Sequence, residues 1–378
     1  MTMRTWIEIS EDKFIQNCKQ IKQLLRAGTV FAPCIKANGY GHGLAEIIKI
    51  IQRNKISDWV CVQSVAETKV IRNSGFGGNI LCISAVFPFE LKELINLNAS
   101  FNIYSSSVLK ELIRLINDGE ILIPAKIHIM VDTGMSWQGV NIGEIDTFLN
   151  LIAELKVDKK HLLVLEGLNS HFASSDDKHP GQFNEQLTKF IDLKKNLSAR
   201  NIIFKYYSIA NSAGIIRSKN CHFNFVQPGI VLYGLFPSQE CRDWNKNIDL
   251  SPILTFKTRI AFIKWIKKGQ LVGYGGSFKT EKDTKIAILP TGYFDGIPRN
   301  LGGPKSGSVF INNIKCPIIG RICMNTMIID VTNGGKMSEG DIVEIFNKQN
   351  IDESATLCGT INYEITTRIN PDIKRVLS

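Results

Sequence analysis

Between residues 30 and 226, short apolar runs alternate with longer amphipathic stretches, and this alternation leaves the chain very few folds. The runs are Val30–Ile35, Trp59–Gln63, Asn79–Ile83, Ser100–Tyr104, Lys126–Asp132, Leu163–Leu168, Ile203–Ser208 and Phe223–Val226. Helical spacing marks Asp12–Arg26, Leu44–Gln52, Val65–Asn73, Phe87–Leu97, Val108–Asn117, Ile142–Leu155, Gly181–Leu197 and Ser212–Arg217. Strands separated by helical crossovers predict a parallel sheet, and eight such units predict a closed (β/α)8 TIM barrel, with a doubly wound open sheet as the alternative.

After about Pro237 the texture changes. Val/Ile/Thr-rich runs at Ile253–Ile263, Thr284–Leu289, Ser308–Ile311, Met327–Val331 and Asp341–Ile345 are separated by Gly, Pro and Asn turns. They predict a C-terminal all-β domain with one helix near Thr356–Arg368. The chain of 378 residues therefore divides into a barrel over residues 1–240 and a β domain over 241–378, linked through Ser238–Asp249.

Composition narrows the function classes. Net charge is +10, but the 45 Lys+Arg residues are scattered without a like-charge run, so no nucleic-acid partner is expected. No apolar run approaches the roughly 18–20 residues of a membrane span. The acidic, alternating start MTMRTWIEISEDKFI is not a secretory signal. Nine cysteines without a CxxC pair and six dispersed histidines predict neither disulfides nor a metal site, and the expected compartment is the reducing cytoplasm.

Barrel enzymes keep their chemistry at the carboxyl ends of the strands. The first strand ends in Cys34-Ile35-Lys36-Ala37-Asn38-Gly39-Tyr40-Gly41-His42-Gly43. Desolvation lowers the pKa of a lysine and makes its amine a better nucleophile or base. Lys36 is thus either a Schiff-base lysine or a lysine snorkelling at the rim. The seventh strand leads into Ala210-Asn211-Ser212 and the eighth into Gln227-Pro228-Gly229-Ile230. Helix starts and glycine turns at these tips commonly hold phosphate in barrels, although Ser212 also suits a plain N-cap. Lysine and cradle together suggest pyridoxal 5'-phosphate.

The block Lys36–Gly43 resembles the cofactor-lysine signature of alanine racemases. Further blocks follow in family order: Val131–Met135, Gly167–Ala173, Ala210–Ser212, Pro228–Gly234, Val272–Gly276, Pro290–Arg299, Gly320–Met324 and Tyr363-Glu364. The resemblance implies an isomerase that interconverts L- and D-alanine for D-alanine biosynthesis, working as a head-to-tail homodimer with shared active sites. Lys36 would carry the cofactor and act as one base, and Tyr274 from the partner would be the other. A base on each face is what racemisation requires. The family pattern also implies cofactor contacts at Tyr40, His171, Ser212, Gln227, Gly229, Ile230 and Tyr363. Met324 would line the substrate pocket from the partner. Tyr293, Arg299, Arg321, Asp176 and Ile361 would form a narrow entry.

Four positions depart from the family. Gln227 stands where an arginine faces the ring nitrogen, and Trp137 where another arginine contacts the substrate carboxylate. Met130 replaces a lysine that is often carbamylated, and Asn325 replaces an aspartate. Losing a charge-assisted contact at Trp137 removes roughly 1.5–3 kcal/mol of anchoring. Such a cluster of changes points to an altered pocket. A racemase of another amino acid and a cofactor-binding homologue of weak activity are the alternatives.

Overall fold

The computed structural model describes residues 3–303 and 306–378. Ten strands precede residue 230: β1 (Thr5–Ile9), β2 (Val30–Phe31), β3 (Trp59–Val62), β4 (Asn79–Cys82), β5 (Ser100–Ile103), β6 (Ala125–Asp132), β7 (Val140–Asn141), β8 (Leu163–Asn169), β9 (Tyr206–Ser208) and β10 (Phe225–Val226). Strands β3-β4-β5-β6-β8-β9 pair in that order, every ladder parallel, and β10 pairs with β2. A parallel bridge between Cys34 and Cys61 joins β2 to β3. The Gln227 N–H donates to the Ala210 carbonyl at 3.0 Å, closing the other side. The barrel is the expected one, and each of the eight apolar runs contributes a strand to it.

Helices cover the outside of these strands, so residues such as Val60, Leu81, Phe101, Ile127 and Leu168 are fully buried. That is why the strands read as continuous apolar runs rather than alternating ones. Within the same barrel, polar side chains form a buried chain of contacts. Glu166 accepts from Ser100 and lies 3.2 Å from His128 Nε2; His128 Nδ1 meets Asn169 at 3.3 Å, and Asn169 donates to Asn102 at 2.8 Å. Burial alone would raise the Glu166 pKa, but the hydrogen bonds from His128 and Ser100 outweigh it and hold the group below its ordinary value.

The second domain is built from β11 (Leu254–Arg259), β12 (Phe262–Ile266), β13 (Leu271–Val272), β14 (Phe278–Lys279), β15 (Thr284–Leu289), β16 (Ser308–Ile311), β17 (Ile314–Pro317), β18 (Met327–Asp330), β19 (Ile342–Phe346) and β20 (Arg375–Leu377). Its main sheet runs β17-β16-β19-β11-β1-β20, beside a three-stranded sheet β12-β15-β18 and a β13-β14 hairpin. The amino-terminal strand β1 therefore lies in the second domain, with Ile7 opposite Phe256 and Arg375. That sheet therefore spans the expected division at residue 240, with its strand β1 contributed from before the barrel. Trp6, Ile7 and Ile9 are buried there, which explains the alternation of the first residues. The single helix expected near Thr356–Arg368 is two, Ile351–Cys358 and Asn362–Thr367. Gly359, at φ +68, ends the first in the left-handed conformation that glycine adopts at little cost.

Candidate active site

Lys36 follows the end of β2 at the carboxyl face of the barrel, half-buried. The backbone after it is unusual. Ala37, Asn38, Gly39, Tyr40 and Gly41 have φ of 54°, 54°, 61°, 53° and 83°, a run of five left-handed residues of which three carry side chains. This conformation costs roughly 1–2 kcal/mol for each non-glycine residue. Strain of that kind persists only where surrounding contacts impose it. His42 supplies some of them, its Nδ1–H donating to the Gly39 and Tyr40 carbonyls at 3.0 and 2.9 Å. Arg375 Nη2 donates to the Gly41 carbonyl at 2.9 Å. A Cβ on Gly41 would lie 1.9 Å from the Thr366 carbonyl oxygen, so only glycine fits where this turn meets the carboxyl-terminal helix.

A cavity of 520 Å³ opens over Lys36 and extends to the tips of β9 and β10. Lys36, Tyr40, His171, Ser212, Gln227, Gly229, Ile230 and Tyr363 all line it. These are the eight residues that the family resemblance implies for a cofactor. At one end, Ser212 Oγ accepts from the Gly229 N–H at 2.8 Å. Asn211 caps the helix Ser212–Arg217 by accepting from Gly214 N–H at 3.0 Å. A Cβ on Gly229 would lie 2.3 Å from Tyr40 Oη, so the absence of a side chain is what leaves this corner open. Burial raises the pKa of both the Tyr40 and Tyr363 phenols. Both are therefore neutral hydroxyls, able to donate to an anion.

The far end is neutral as well. Desolvation, then the Lys36 charge, lowers the His171 pKa to about 4. Asn211 Nδ2 lies 3.5 Å from His171 Nε2. Gln227 Nε2 donates to Ser208 Oγ at 2.9 Å. Among the described residues lining the cavity, Lys36 is the sole lysine or arginine. Trp137 stands outside the lining, 57% exposed, with its ring edge-on to His171 at 6.4 Å between centroids. The loop that carries it is pinned by Asp132 Oδ1, which accepts the N–H groups of Gly134, Met135 and Ser136. Met130 is buried against Asn102, whose amide lies 3.9 Å from its sulfur.

Tyr274, Met324 and Tyr293 are not part of this cavity. They lie on the β domain, 70%, 54% and 41% exposed. Tyr293 and Met324 come from adjoining segments, since the N–H groups of Tyr293 and Phe294 donate to the carbonyls of Cys323 and Met324, both at 3.0 Å. Of the expected entry residues, Asp176 and Ile361 line the cavity, whereas Arg299 and Arg321 do not. Ser208, the partner of Gln227, and Asn211, the partner of His171, are functional residues that the sequence does not single out. Asn211 carried a signal, being the residue before Ser212 at a strand-to-helix turn; Ser208 carried none.

An amine beyond one strand tip, a side-chain-free corner at the neighbouring tips and a β domain that includes the first strand define a two-domain barrel enzyme centred on one lysine. Comparison with known proteins makes the assignment specific. The model of the alanine racemase N-terminal domain matches residues 9–237, and that of the alanine racemase C-terminal domain matches residues 253–377. The chain belongs to the alanine racemase family. It is 34% identical over 377 residues to the alanine racemase of Clostridium tetani, covering 98% of this chain and 94% of that one. The alanine racemase of Methanococcus maripaludis is 31% identical, with 98% of each covered. Among solved structures, alanine racemase from Clostridium difficile 630 superposes with a TM-score of 0.91 at 27% identity, covering 100% of this chain and 96% of that one. Alanine racemase from Bacillus anthracis with bound L-Ala-P gives 0.90 at 28% identity, with the same coverage. No helix among the described residues is long and apolar enough to cross a membrane.

Proposed function

We propose that the protein racemises alanine with pyridoxal 5'-phosphate carried on Lys36. The observation that carries this reading is the convergence of all eight expected cofactor residues on one cavity. The donor set suits the group. The side-chain-free corner at Gly229 would take the phosphate, with the N–H groups of Gly229 and Ile230 and the hydroxyls of Ser212, Tyr40 and Tyr363 as donors. Neutral Gln227, steadied by Ser208, would face the ring nitrogen, and neutral His171 would lie beside it. When bound, pyridoxal phosphate supplies an electron sink that acidifies the α-C–H of an amino acid.

The remaining work falls to side chains of this chain. The Lys36 amine holds and returns a proton on one face of the α-carbon. The Tyr274 phenol of a second copy would do so on the other, which makes the enzyme a homodimer with shared sites. The exposure of Tyr274, Met324 and Tyr293 on the β domain supports that reading, since large apolar groups at the surface suit an interface. Gln227, in place of a permanent cation, could present either its N–H₂ or its carbonyl to the ring nitrogen and so would allow that nitrogen either protonation state.

The test is direct. The purified protein should be yellow, borohydride should fix the cofactor to Lys36, and incubation of L-alanine in deuterated buffer should give D-alanine labelled at the α-carbon. Lys36→Ala should remove the colour and the exchange together. Colour without exchange would favour a binding protein of weak activity, the reading that Gln227 and Trp137 keep open. Exchange confined to another amino acid would move the substrate.

A further inference from the structure

The left-handed run after Lys36 depends on one carboxylate that belongs to a different barrel unit. Glu67 lies in the first turn of the helix Val65–Asn73, where Ser64 Oγ accepts its N–H at 3.2 Å and fixes its backbone. Its two oxygens are used separately. Oε1 accepts the N–H of Asn38 at 3.2 Å, in the middle of the left-handed run. Oε2 accepts the N–H of Gln63 at 2.9 Å, immediately after β3. Asn38 continues the chain of contacts, its Oδ1 accepting the Leu44 N–H at 2.9 Å. One carboxylate thus ties the strained turn that aims Lys36 to the tip of the neighbouring strand.

We infer that Glu67 is a positioning residue for Lys36, acting through the Asn38 backbone. The inference rests on the reading of Lys36 as the cofactor lysine. The chemistry demands an acid of this length. Two separate backbone N–H groups need two acceptor oxygens, whereas a glutamine would set its own N–H₂ against one of them. An aspartate, one methylene shorter on the same fixed backbone, cannot reach both. A merely structural acid at a helix N-terminus would interact with its own helix and leave the lysine turn alone.

The experiment compares Glu67→Gln and Glu67→Asp with Ser64→Ala, which removes the cap of the same helix and keeps the carboxylate. Each protein is loaded with pyridoxal phosphate, reduced with borohydride across a pH series, and the labelled Lys36 peptide is quantified by mass spectrometry. Racemisation of alanine is resolved into kcat and KM, and thermal melts report stability. Both Glu67 variants should label Lys36 more slowly with a displaced pH profile. They should lose on the order of 10- to 100-fold in kcat with KM little changed, as a misaimed reacting group does. Ser64→Ala, which loosens the backbone of Glu67 but keeps both acceptor oxygens, should lower the melting temperature and cost far less in labelling and kcat than either Glu67 variant. Wild-type labelling in Glu67→Gln, or rescue by the charged but shorter Glu67→Asp, overturns the inference. Failure of the wild-type protein to label at Lys36 overturns the cofactor reading instead.

Discussion

The side-chain nitrogen of Gln227 rests 2.9 Å from the hydroxyl of Ser208, a residue with no exposed surface. This contact holds a neutral amide at the barrel position where the resemblance leads one to expect a guanidinium. An arginine cannot give up its proton, so it keeps a facing ring nitrogen unprotonated; an amide imposes no such limit. Gln227→Arg should therefore suppress side reactions that need the stronger electron sink. Pyruvate released during turnover of alanine, measured with lactate dehydrogenase, should fall relative to racemisation. An unchanged ratio would show that the amide does not tune the ring.

The open corner at Gly229 gives a steric prediction. In Gly229→Ala, the new Cβ would meet Tyr40 Oη at 2.3 Å. Cofactor affinity, read by absorbance titration, should fall by about tenfold or more, which corresponds to about 1.4 kcal/mol. Removing that hydroxyl as well, in Tyr40→Phe with Gly229→Ala, should recover part of the loss, so the two changes should not add.

Shared sites predict complementation. Lys36→Ala and Tyr274→Phe chains should each be nearly inactive. After mixing and exchange of subunits, a hybrid dimer would contain one site with both groups intact. Activity should then return. No recovery, with hybrids demonstrated by native mass spectrometry, would place both groups in the same chain's site or remove Tyr274 from the chemistry.

Acid should destabilise the fold through two kinds of buried group. Burial lowers the His42 pKa to about 4, against an ordinary value near 6.5, and leaves its Nε2 without a partner. Between those values the unfolded chain binds the extra proton, so stability rises with pH and is lost on acidification through the window. A fully desolvated histidine with this shift contributes on the order of 3 kcal/mol. Glu166, held below its ordinary pKa, contributes stability that is present above the unfolded value and lost as pH falls through the folded one. Urea midpoints should therefore decline as pH falls from about 6.5 to about 4, and keep declining as Glu166 is protonated below the ordinary carboxylate range. A flat midpoint between about pH 6.5 and 4 would remove both His42 and His171, which shares the shift, as a cause.

Much of the fold was legible because it follows from local pattern. Runs such as Trp59–Gln63 and Asn79–Ile83 announce strands covered on both faces, and the helices Val65–Asn73 and Ser212–Arg217 begin and end where their apolar spacing does. Lys36, Ser212 and Gly229 were visible too, since each sits at a strand tip next to turn-forming residues. What the chain order could not reveal is pairing between distant segments. Strand β1 joins a sheet whose other members begin about 250 residues later. Ser208 supports Gln227 from another strand, and Glu67 reaches the turn after Lys36 from the next barrel unit. Periodicity along a chain encodes which face of an element is apolar, because neighbouring residues alone decide it. Which carboxylate meets which backbone amide depends on how whole elements are brought together, and that was decided only when the barrel closed.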